Sequence, residues 1–417
     1  MADVKNTFSP CQQMARAVLD KSANNIFLTG RAGTGKSFLI RDFLKDQDEK
    51  IFPVLASTGS AAILVGGRTF HSFFGLGIME GGFEATVNRA LKNSRVVKRL
   101  RKINGFVLDE VSMISGETLR VAEEICRRAR QKHMPWGGAR AVVVGDFAQL
   151  PPITRAGEKR DWAFQSAVWE QSDFVPLVLT TMMRSEDDEY LRILNFVRDG
   201  IVNDEVEVYL NRRVQTDFEN EQTTFLFPRR DSAEHLNLQR LGELKTELHV
   251  LPTEYEGNER FVETLKKQAP IPEVLQLKES AHVMIRINDP IMRFVNGSIG
   301  QIMSIKDEVV FVKLKNNKTV EIEKHIFTMI DADGHTVATA KNFPLNLAYA
   351  ATIHKSQGLT LDHMVCDLTR LWEPGQAYVA MSRLRRGQDM ILTGWSPSSI
   401  RVDAAVMEFH EKLLQRS

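Results

Sequence analysis

The sequence predicts an α/β protein in which parallel sheets are flanked by helices, with a small antiparallel β-barrel inserted in the second half of the chain. Three observations support this fold class. From residue 25, short apolar runs alternate with helical stretches, as in parallel strands joined by helices. The first strand leads into a glycine-rich loop and a helix. From about Leu275 to Ile330 the chain is β-rich, with turn signals at Asn296-Gly297 and Asn316-Asn317.

Composition limits the classes of protein that are possible. The chain has 417 residues, a length that favours two or more domains. Its content of 43% hydrophobic and 26% charged residues is typical of globular proteins. The net charge of +1 excludes a uniformly basic surface, so a nucleic-acid site would be a local groove. The three cysteines, far apart in sequence, exclude a cysteine-based zinc site and a disulfide framework. No run approaches the ~18 apolar residues of a membrane helix, so we expect a cytoplasmic protein without a membrane partner.

The predicted elements follow in order. Asn25–Thr29 is expected to be a strand and Ser37–Lys45 a helix, and further buried strands are expected at Phe52–Ala56, Gly105–Leu108 and Ala141–Val144. The ends of parallel strands should converge on one cleft. The helix-like stretch between Thr69 and Asn104 has a basic face, typical either of a solvated amphipathic helix or of a small DNA-facing insert. A helical region is expected from Gln171 to about Leu244.

The loop from Gly30 to Ser37 matches the pattern GxxxxGK[ST]. Its residues are Gly30, Arg31, Ala32, Gly33, Thr34, Gly35, Lys36 and Ser37. Glycines let the backbone N–H groups surround phosphates, Lys36 reaches the outer phosphates, and the Ser37 hydroxyl binds Mg²⁺. The position between a strand and a helix supports binding of a nucleoside triphosphate.

Two further strands end in residues suited to hydrolysis. After FVLDE, Asp109 would hold Mg²⁺ and Glu110 would polarise the attacking water. Gln149, after AVVVGDFAQ, either senses the γ-phosphate or belongs to a simple turn before Pro151-Pro152. An arginine is also needed to neutralise the transferred phosphoryl group, and Arg184 and Arg383 are the candidates.

The series of motifs resembles the PIF family, the RecD-related group of superfamily-one DNA helicases. In order, the motifs are FSPCQQ, GRAGTGKS, VLASTGSAA, TFHSFFGLG, VLDEVSM, GDFAQLPP, VLTTMMRS, FVNGSIG, YAATIHKSQGLTLD and QAYVAMSRLRR. They run from about residue 8 to about residue 405. The resemblance implies two RecA-like domains with ATP and Mg²⁺ between them, and movement from 5′ to 3′ on single-stranded DNA.

The resemblance also implies domain boundaries. Residues 1–170 would form the first RecA-like domain, with a small wedge-like insert at about 78–102. The second would comprise residues 171–274 and 344–417, with the β-barrel inserted at 275–343.

The resemblance assigns site residues as well. Gln12 would recognise adenine, Gln149 would be the γ-phosphate sensor, and Arg184 and Arg383 would be delivered from the second domain. Gln357 would touch the nucleotide and the cleft. The implied DNA contacts are Ser57, Thr58, Gly59, His71, Ser72, Thr352, His354, Lys355 and Ser356. We expect Phe73 and Phe74 to pack in the protein interior and not to stack on DNA bases, because aromatic pairs are more often buried. Two positions depart from the family pattern: Ser185 replaces a glutamine, and Cys11 stands where an acidic residue is common.

These features predict an ATP-driven helicase, monomeric in solution, acting on single-stranded and forked DNA, and associated with the nucleoid if bacterial or viral. Protein partners are not indicated by the sequence. A P-loop kinase is an alternative, but it would not need the TIHKSQG motif about 300 residues downstream. A second alternative is an ATP-gated DNA-binding or recombination subunit that hydrolyses ATP without separating strands, because the candidate wedge is the least specific segment.

Overall fold

The computed structural model describes residues 8–64, 68–77, 79, 81–154, 159–215, 223–289, 291, 293–314, 316–330 and 335–416. Its helices are α1 (Pro10–Lys21), α2 (Lys36–Leu44), α3 (Gly59–Leu64), α4 (Phe70–Phe74), α5 (Gly82–Lys92), α6 (Ser94–Lys102), α7 (Gly116–Arg130), α8 (Ala167–Gln171), α9 (Asp188–Arg198), α10 (Asp204–Asn211), α11 (Arg230–Glu243), α12 (Glu259–Gln268), α13 (Ile353–Ser356), α14 (Gln376–Met381) and α15 (Ala404–Arg416).

The strands are β1 (Ile26–Gly30), β2 (Val54–Ala56), β3 (Arg68–Thr69), β4 (Gly105–Asp109), β5 (Arg140–Val144), β6 (Val175–Leu179), β7 (Thr224–Phe227), β8 (His249–Pro252), β9 (Glu254–Gly257), β10 (Val274–Leu277), β11 (His282–Ile285), β12 (Ile299–Ile305), β13 (Val309–Leu314), β14 (Thr319–Glu323), β15 (His325–Ile330), β16 (Thr336–Asn342), β17 (Leu345–Leu347), β18 (Ala350–Thr352), β19 (Met364–Leu368) and β20 (Met390–Trp395). The chain divides into two compact units. Unit 1 comprises the described residues of Met1–Thr58, Gly67–Glu186 and Val402–Ser417, and unit 2 those of Gly59–Gly66 and Asp187–Arg401.

Unit 1 is built on a parallel six-stranded sheet with the order β3-β2-β4-β5-β1-β6. The predicted strands are confirmed to within two residues at either end. Every residue of β1 is buried, as are Ala141–Val144 of β5, because helices cover both faces of such a sheet. Leu39, Ile40 and Phe43 of α2 pack into this core.

The predicted helix-like stretch forms α4, α5 and α6. Phe73 and Phe74 are 1% and 0% exposed, which confirms that they pack inside. The ring of Phe74 lies 5.5 Å from that of Phe106 and 6.0 Å from that of Trp136. These helices are therefore anchored to the sheet by aromatic contacts.

Unit 2 contains a parallel four-stranded sheet, β18-β7-β19-β20, and antiparallel sheets. The larger antiparallel sheet has five strands in the order β14-β13-β12-β11-β17. Its buried side chains, among them Val283, Ile302, Val312 and Leu345, form a core of their own. The two parallel sheets flanked by helices, and the antiparallel strands in the second unit, confirm the predicted fold class.

The two compact units divide the chain differently from the predicted domains. Unit 1 continues past the expected boundary at residue 170 to Glu186, because β6 pairs with β1 along its whole length. The final helix α15, expected in the second domain, belongs to unit 1, because the Phe409 ring stacks on that of Phe164 at 4.4 Å. The antiparallel region also begins before residue 275, since β9 pairs with β16. The expected helical region from Gln171 to Leu244 contains the two strands β6 and β7.

Among the described residues, no helix combines the length and the apolar character needed to cross a membrane.

Candidate nucleotide-binding site

The glycine-rich loop leaves the end of β1 and enters α2 at Lys36. Gly33 and Gly35 have φ values of 87° and 82°, in the left-handed region that glycine adopts without strain. A Cβ on Gly35 would lie 2.4 Å from Gln12 Nε2, and one on Gly33 would lie 2.8 Å from Arg184 Cβ. Both glycines are thus required by conformation and by close neighbours. The loop presents the first N–H groups of α2, which suits it to binding phosphates.

The Lys36 ammonium folds back over the loop. Its Nζ donates to the carbonyl oxygen of Gly30 at 2.7 Å and to that of Arg31 at 3.2 Å. The two carbonyl oxygens are neutral acceptors, and an ammonium forms stronger hydrogen bonds with a charged phosphate than with a neutral carbonyl. Lys36 is therefore placed to exchange these bonds for bonds to phosphate oxygens.

Gln12 connects the start of α1 to the loop. Its Oε1 accepts from the Ser9 N–H at 2.9 Å and its Nε2 donates to the Thr34 carbonyl at 3.0 Å. The side chain is 1% exposed. In this arrangement Gln12 supports the loop, and its recognition of adenine stays a prediction.

Cys11, next to Gln12, has an unusual thiol. Burial acts to raise its pKa, but hydrogen bonds with the Ser9 and Thr181 hydroxyls and the backbone of Thr180 and Thr181 outweigh burial and lower the pKa to about 6. The Cys11 thiol therefore ionises more readily than that of an ordinary cysteine, at a position where the resemblance implied an acidic residue.

The ends of β1, β4 and β5 lie at one edge of the unit 1 sheet. Leu28 pairs with Val144, Val143 pairs with Leu108, and the Gly145 N–H donates to the Leu28 carbonyl at 3.1 Å. This register places Asp109 and Glu110, which follow Leu108, at the same edge as the loop. The prediction that the strand ends converge is confirmed for these three strands.

Asp109 is a half-buried carboxyl near positive charges. Burial raises its pKa, whereas the hydrogen bond from the Glu110 N–H, at 2.9 Å, and the charges of Lys36 and Arg41 act in the opposite direction. Arg41 was not among the predicted site residues. It lies far along the chain from Asp109, and nothing in the sequence indicates that the two are close in space. Glu110 has a φ of 56°, which is uncommon for a residue with a side chain and turns the chain sharply after β4.

Ser37 and Asp109 fit a magnesium ion held together with a nucleotide. In the part of the chain that the structure describes, no three His, Cys, Asp or Glu side chains form a metal cluster. Mg²⁺ does not need such a cluster, because it usually binds one or two protein oxygens, several waters and the substrate phosphates. The exposed Ser37 hydroxyl and the Asp109 carboxyl are oxygen donors of this kind, and a cation would favour the ionised form of Asp109. Bound there, the ion would neutralise charge on the phosphates.

Gln149 lies in a tight turn after β5. Its N–H donates to the Asp146 carbonyl at 3.0 Å, and the Ala148 N–H donates to Asp146 Oδ1 at 3.1 Å. Gln149 is 6% exposed. The backbone at Gln149 therefore forms the turn that was one of the two interpretations. That the Gln149 side chain senses the γ-phosphate stays a prediction.

Arg184 lies next to the loop. The Met183 N–H donates to the Gly33 carbonyl at 2.9 Å, and this bond holds the segment after β6 against Gly33. The resemblance implied delivery of Arg184 from the second domain, whereas its backbone belongs to unit 1. The reason is that β6 adds to the first sheet and its continuation passes directly over the loop.

Arg383 and Gln357 belong to unit 2. The Arg383 guanidinium is 1% exposed and donates to the carbonyls of Val379 at 2.7 Å and Ser356 at 3.3 Å. Arg383 thus braces the segment that contains Gln357. Its contact with a γ-phosphate stays a prediction that requires these bonds to be exchanged.

In unit 1 the predicted DNA residues follow two neighbouring strands. Ala56 of β2 pairs with Thr69 of β3, so Ser57 and Thr58 emerge beside α4, which carries His71 and Ser72. Arg99 of α6 is buried and donates from Nε to the Phe73 carbonyl at 3.1 Å. This arginine, expected on a basic face, instead ties the α5–α6 insert to the His71-Ser72 segment.

In unit 2 the predicted DNA residues surround α13. Thr352 caps this helix by accepting from the Lys355 N–H at 3.1 Å, and the Ser356 hydroxyl donates to the Ile353 carbonyl at 2.8 Å. Ser356 is 0% exposed, so its side chain supports the helix, while His354 and Lys355 are exposed. Gly59 begins α3, where a Cβ would clash with Gln268 of α12.

Replacement of Gly35 by alanine tests the loop geometry. We expect Gly35→Ala to weaken binding of a fluorescent ATP analogue at least tenfold, because the new Cβ meets Gln12 at 2.4 Å and the φ of 82° is strained. The matched control is Gly242→Ala in α11, where a Cβ would meet nothing within 4 Å. Equal affinity in the two variants would contradict the geometry described for the loop.

Comparison with known proteins places the chain in a family. Residues 6–207 match the family described as PIF1-like helicase. A protein of Bdellovibrio bacteriovorus named ATP-dependent DNA helicase Pif1 is 50% identical over 404 residues, which cover 97% of this chain and 92% of that protein. The human protein named ATP-dependent DNA helicase PIF1 is 34% identical over 95% of this chain, which spans 62% of its length.

The fold agrees with this placement. The crystal structure of Bacteroides Pif1 in complex with ADP-AlF4 is similar with a TM-score of 0.86 and 25% identity, covering 99% of this chain and 98% of that one. The chain therefore belongs to the family of PIF1-like helicases.

Proposed function

We propose that the chain is an ATP-dependent DNA helicase that moves from 5′ to 3′ on single-stranded DNA and unwinds duplex DNA. The observation that carries the proposal is the arrangement in unit 1, where the glycine loop, Asp109, Glu110 and Arg184 lie at one sheet edge. The names of the relatives and the ADP-AlF4 complex of the Bacteroides protein support the same activity.

The chemistry follows from these residues. Lys36 and the N–H groups of α2 bind the phosphates, Ser37 and Asp109 would hold Mg²⁺, and Glu110 polarises the attacking water. Arg184 adds a positive charge as negative charge builds up on the γ-phosphoryl group. We propose that the bound γ-phosphate is sensed by three further residues, Gln149, Gln357 and Arg383.

Single-stranded and forked DNA are the proposed partners. Small hydroxyls and backbone amides at strand ends bind phosphates, and histidine rings can stack on bases. Ser57, Thr58, His71 and Ser72 in unit 1 follow two paired strands, while His354 and Lys355 are exposed in unit 2. Each unit thus offers groups for DNA, and the nucleotide would control which group of contacts holds the strand.

A strand-displacement assay tests activity and direction together. With ATP and Mg²⁺, we expect release of the labelled strand from a duplex with a 5′ single-stranded tail and little release from one with a 3′ tail. ATP hydrolysis should rise strongly when single-stranded DNA is added. Stimulated hydrolysis without displacement on either substrate would instead identify an ATP-gated DNA-binding subunit, and an unchanged hydrolysis rate would contradict the motor function.

A further inference from the structure

Two basic residues of unit 2 emerge from neighbouring strand ends. Phe227, the last residue of β7, pairs with Thr352, the last residue of the parallel strand β18. The next helices, α11 and α13, begin at Arg230 and Ile353. Arg230 and Lys355 therefore lie at the carboxyl edge of the unit 2 sheet, the edge at which ligands bind in parallel α/β sheets.

A third basic residue, Arg286, is buried and forms no ion pair with another described residue. It follows β11, where its N–H donates to the Pro344 carbonyl at 2.8 Å, and it is 8% exposed. Its Nη1 contacts the Met284 sulfur at 3.3 Å, a weak acceptor, and its Nε has no hydrogen-bond partner among the described residues. Burial lowers the pKa of Arg286 to about 10, so the guanidinium remains charged at neutral pH. Buried charges are normally paired, because an isolated buried charge is costly.

The segment after α13 lies near the end of β11. The Gly297 N–H donates to the Ile285 carbonyl at 2.8 Å, and a Cβ on Gly297 would lie 3.0 Å from Leu359 Cδ2. Arg286, which follows Ile285, and Lys355, which lies four residues before Leu359, are thus brought to one region of unit 2.

The charges of Arg230 and Arg286 both act on Lys355. The pKa of Lys355 is lowered, first by partial desolvation and then by the charge of Arg230, with Glu234 acting in the opposite direction and Arg286 lowering it further. Arg230 forms an ion pair with Glu234, which offsets one of the three charges. A net excess of positive charge thus remains around Arg286 and Lys355.

An aromatic side chain adjoins this basic group. Trp372 is 43% exposed, and the guanidinium carbon of Arg229 lies 5.6 Å from the centre of its ring. Arg229 immediately precedes Arg230. Alternation of phosphate-binding cations with an exposed aromatic ring is typical of surfaces that bind single-stranded nucleic acid, where bases stack and phosphates pair with cations. This arrangement favours DNA over a free nucleotide or inorganic phosphate as the source of the anion.

We propose that Arg286, Lys355 and Arg230 form an anion site that binds a backbone phosphate of single-stranded DNA, with Arg286 as its inner wall. This inference rests on the proposed function and adds Arg286 and Arg230 to the residues that serve it. The planar guanidinium of Arg286 offers paired donors to phosphate oxygens, and Lys355 approaches the same phosphate from the surface. The bound phosphate supplies a counter-charge for Arg286, which forms no ion pair within the described part of the chain.

The test uses Arg286→Met in the full chain and measures two properties. Affinity for fluorescently labelled oligothymidylate, by anisotropy over a range of salt concentrations, should fall about tenfold or more, and the slope of log affinity against log salt should become shallower by about 0.7 for one lost phosphate contact. The midpoint of thermal unfolding without DNA should stay the same or rise, because an unpaired buried charge has been removed. A purely structural arginine would show the reverse, with a lower midpoint and an unchanged salt slope.

Further variants sharpen the result. Arg240→Gln is the matched control, because Arg240 lies on the same helix as Arg230 and pairs with Glu243 on the surface. Its affinity for oligothymidylate and its salt slope should match those of the unmodified chain. Arg286→Lys should retain part of the affinity. The losses from Arg286→Met and Lys355→Gln should combine to less than their sum, because both residues hold one phosphate.

Two outcomes would overturn the proposal. One is an unchanged salt slope in Arg286→Met while the unmodified chain binds oligothymidylate. The other is a loss of affinity for a fluorescent ADP analogue with DNA affinity unchanged, which would assign the site to nucleotide phosphates. If the unmodified chain itself did not bind oligothymidylate, the proposed function would be contradicted. Measuring the unmodified chain therefore separates failure of the proposed function from failure of the anion site.

Discussion

Lys36→Ala is expected to abolish ATP hydrolysis while single-stranded DNA still binds. Lys36 bonds to the Gly30 and Arg31 carbonyls at the start of α2, and its ammonium is the charge placed to reach the outer phosphates. Without it, negative charge on the γ-phosphoryl group is not neutralised at this position. Phosphate release from ATP in the presence of oligothymidylate, followed with a coupled assay, should be at background.

The control for this variant lies at the end of the same helix. Lys45 is exposed and pairs with Asp42, so Lys45→Ala should hydrolyse ATP at the rate of the unmodified chain. DNA binding by Lys36→Ala, measured by anisotropy without nucleotide, should remain close to that of the unmodified chain. Loss of DNA binding together with hydrolysis would show that Lys36 maintains the fold of the loop.

Arg184→Ala is expected to leave nucleotide binding in place and to lower the maximal rate of hydrolysis by about 10³. An arginine that stabilises the transferring phosphoryl group acts mainly in the transition state, so it affects turnover more than affinity. The Arg184 Cβ lies next to Gly33, which places the side chain at the loop. Steady-state rates at saturating ATP and equilibrium binding of a fluorescent ATP analogue separate the two effects.

Arg184→Lys makes this prediction specific. Lysine keeps the charge but lacks the planar pair of donors, so the rate should recover only in part. A small effect of Arg184→Ala on turnover would mean that another arginine performs this role, and Arg383 would then be the next residue to replace.

The positions of many residues of the candidate nucleotide site could be predicted because they are close in sequence or follow strands with a clear apolar pattern. The glycine loop lies within eight residues, and Asp109 and Glu110 come directly after a buried run. Local pattern is sufficient in these cases, because the ends of parallel strands meet at the same edge whatever the details of packing.

The remaining residues depend on contacts between distant parts of the chain. Arg99 was expected on a basic surface but is buried beneath α4, where it bonds to the Phe73 carbonyl. Arg286 lies in the stretch predicted to be β-rich, and nothing in its sequence neighbours indicates that its side chain is buried. Burial of a charged side chain is set by tertiary packing, which no local pattern encodes.

The sequence by itself determined the class of fold, the glycine-rich loop between β1 and α2 and, through the order of its motifs, the family. Only the tertiary structure decided that β6 and α15 complete unit 1, because strand pairing and aromatic stacking join segments more than 100 residues apart. It also decided which cations are exposed and which are buried. The physical reason is that local sequence specifies strands and turns, whereas burial and charge balance depend on what packs around each side chain.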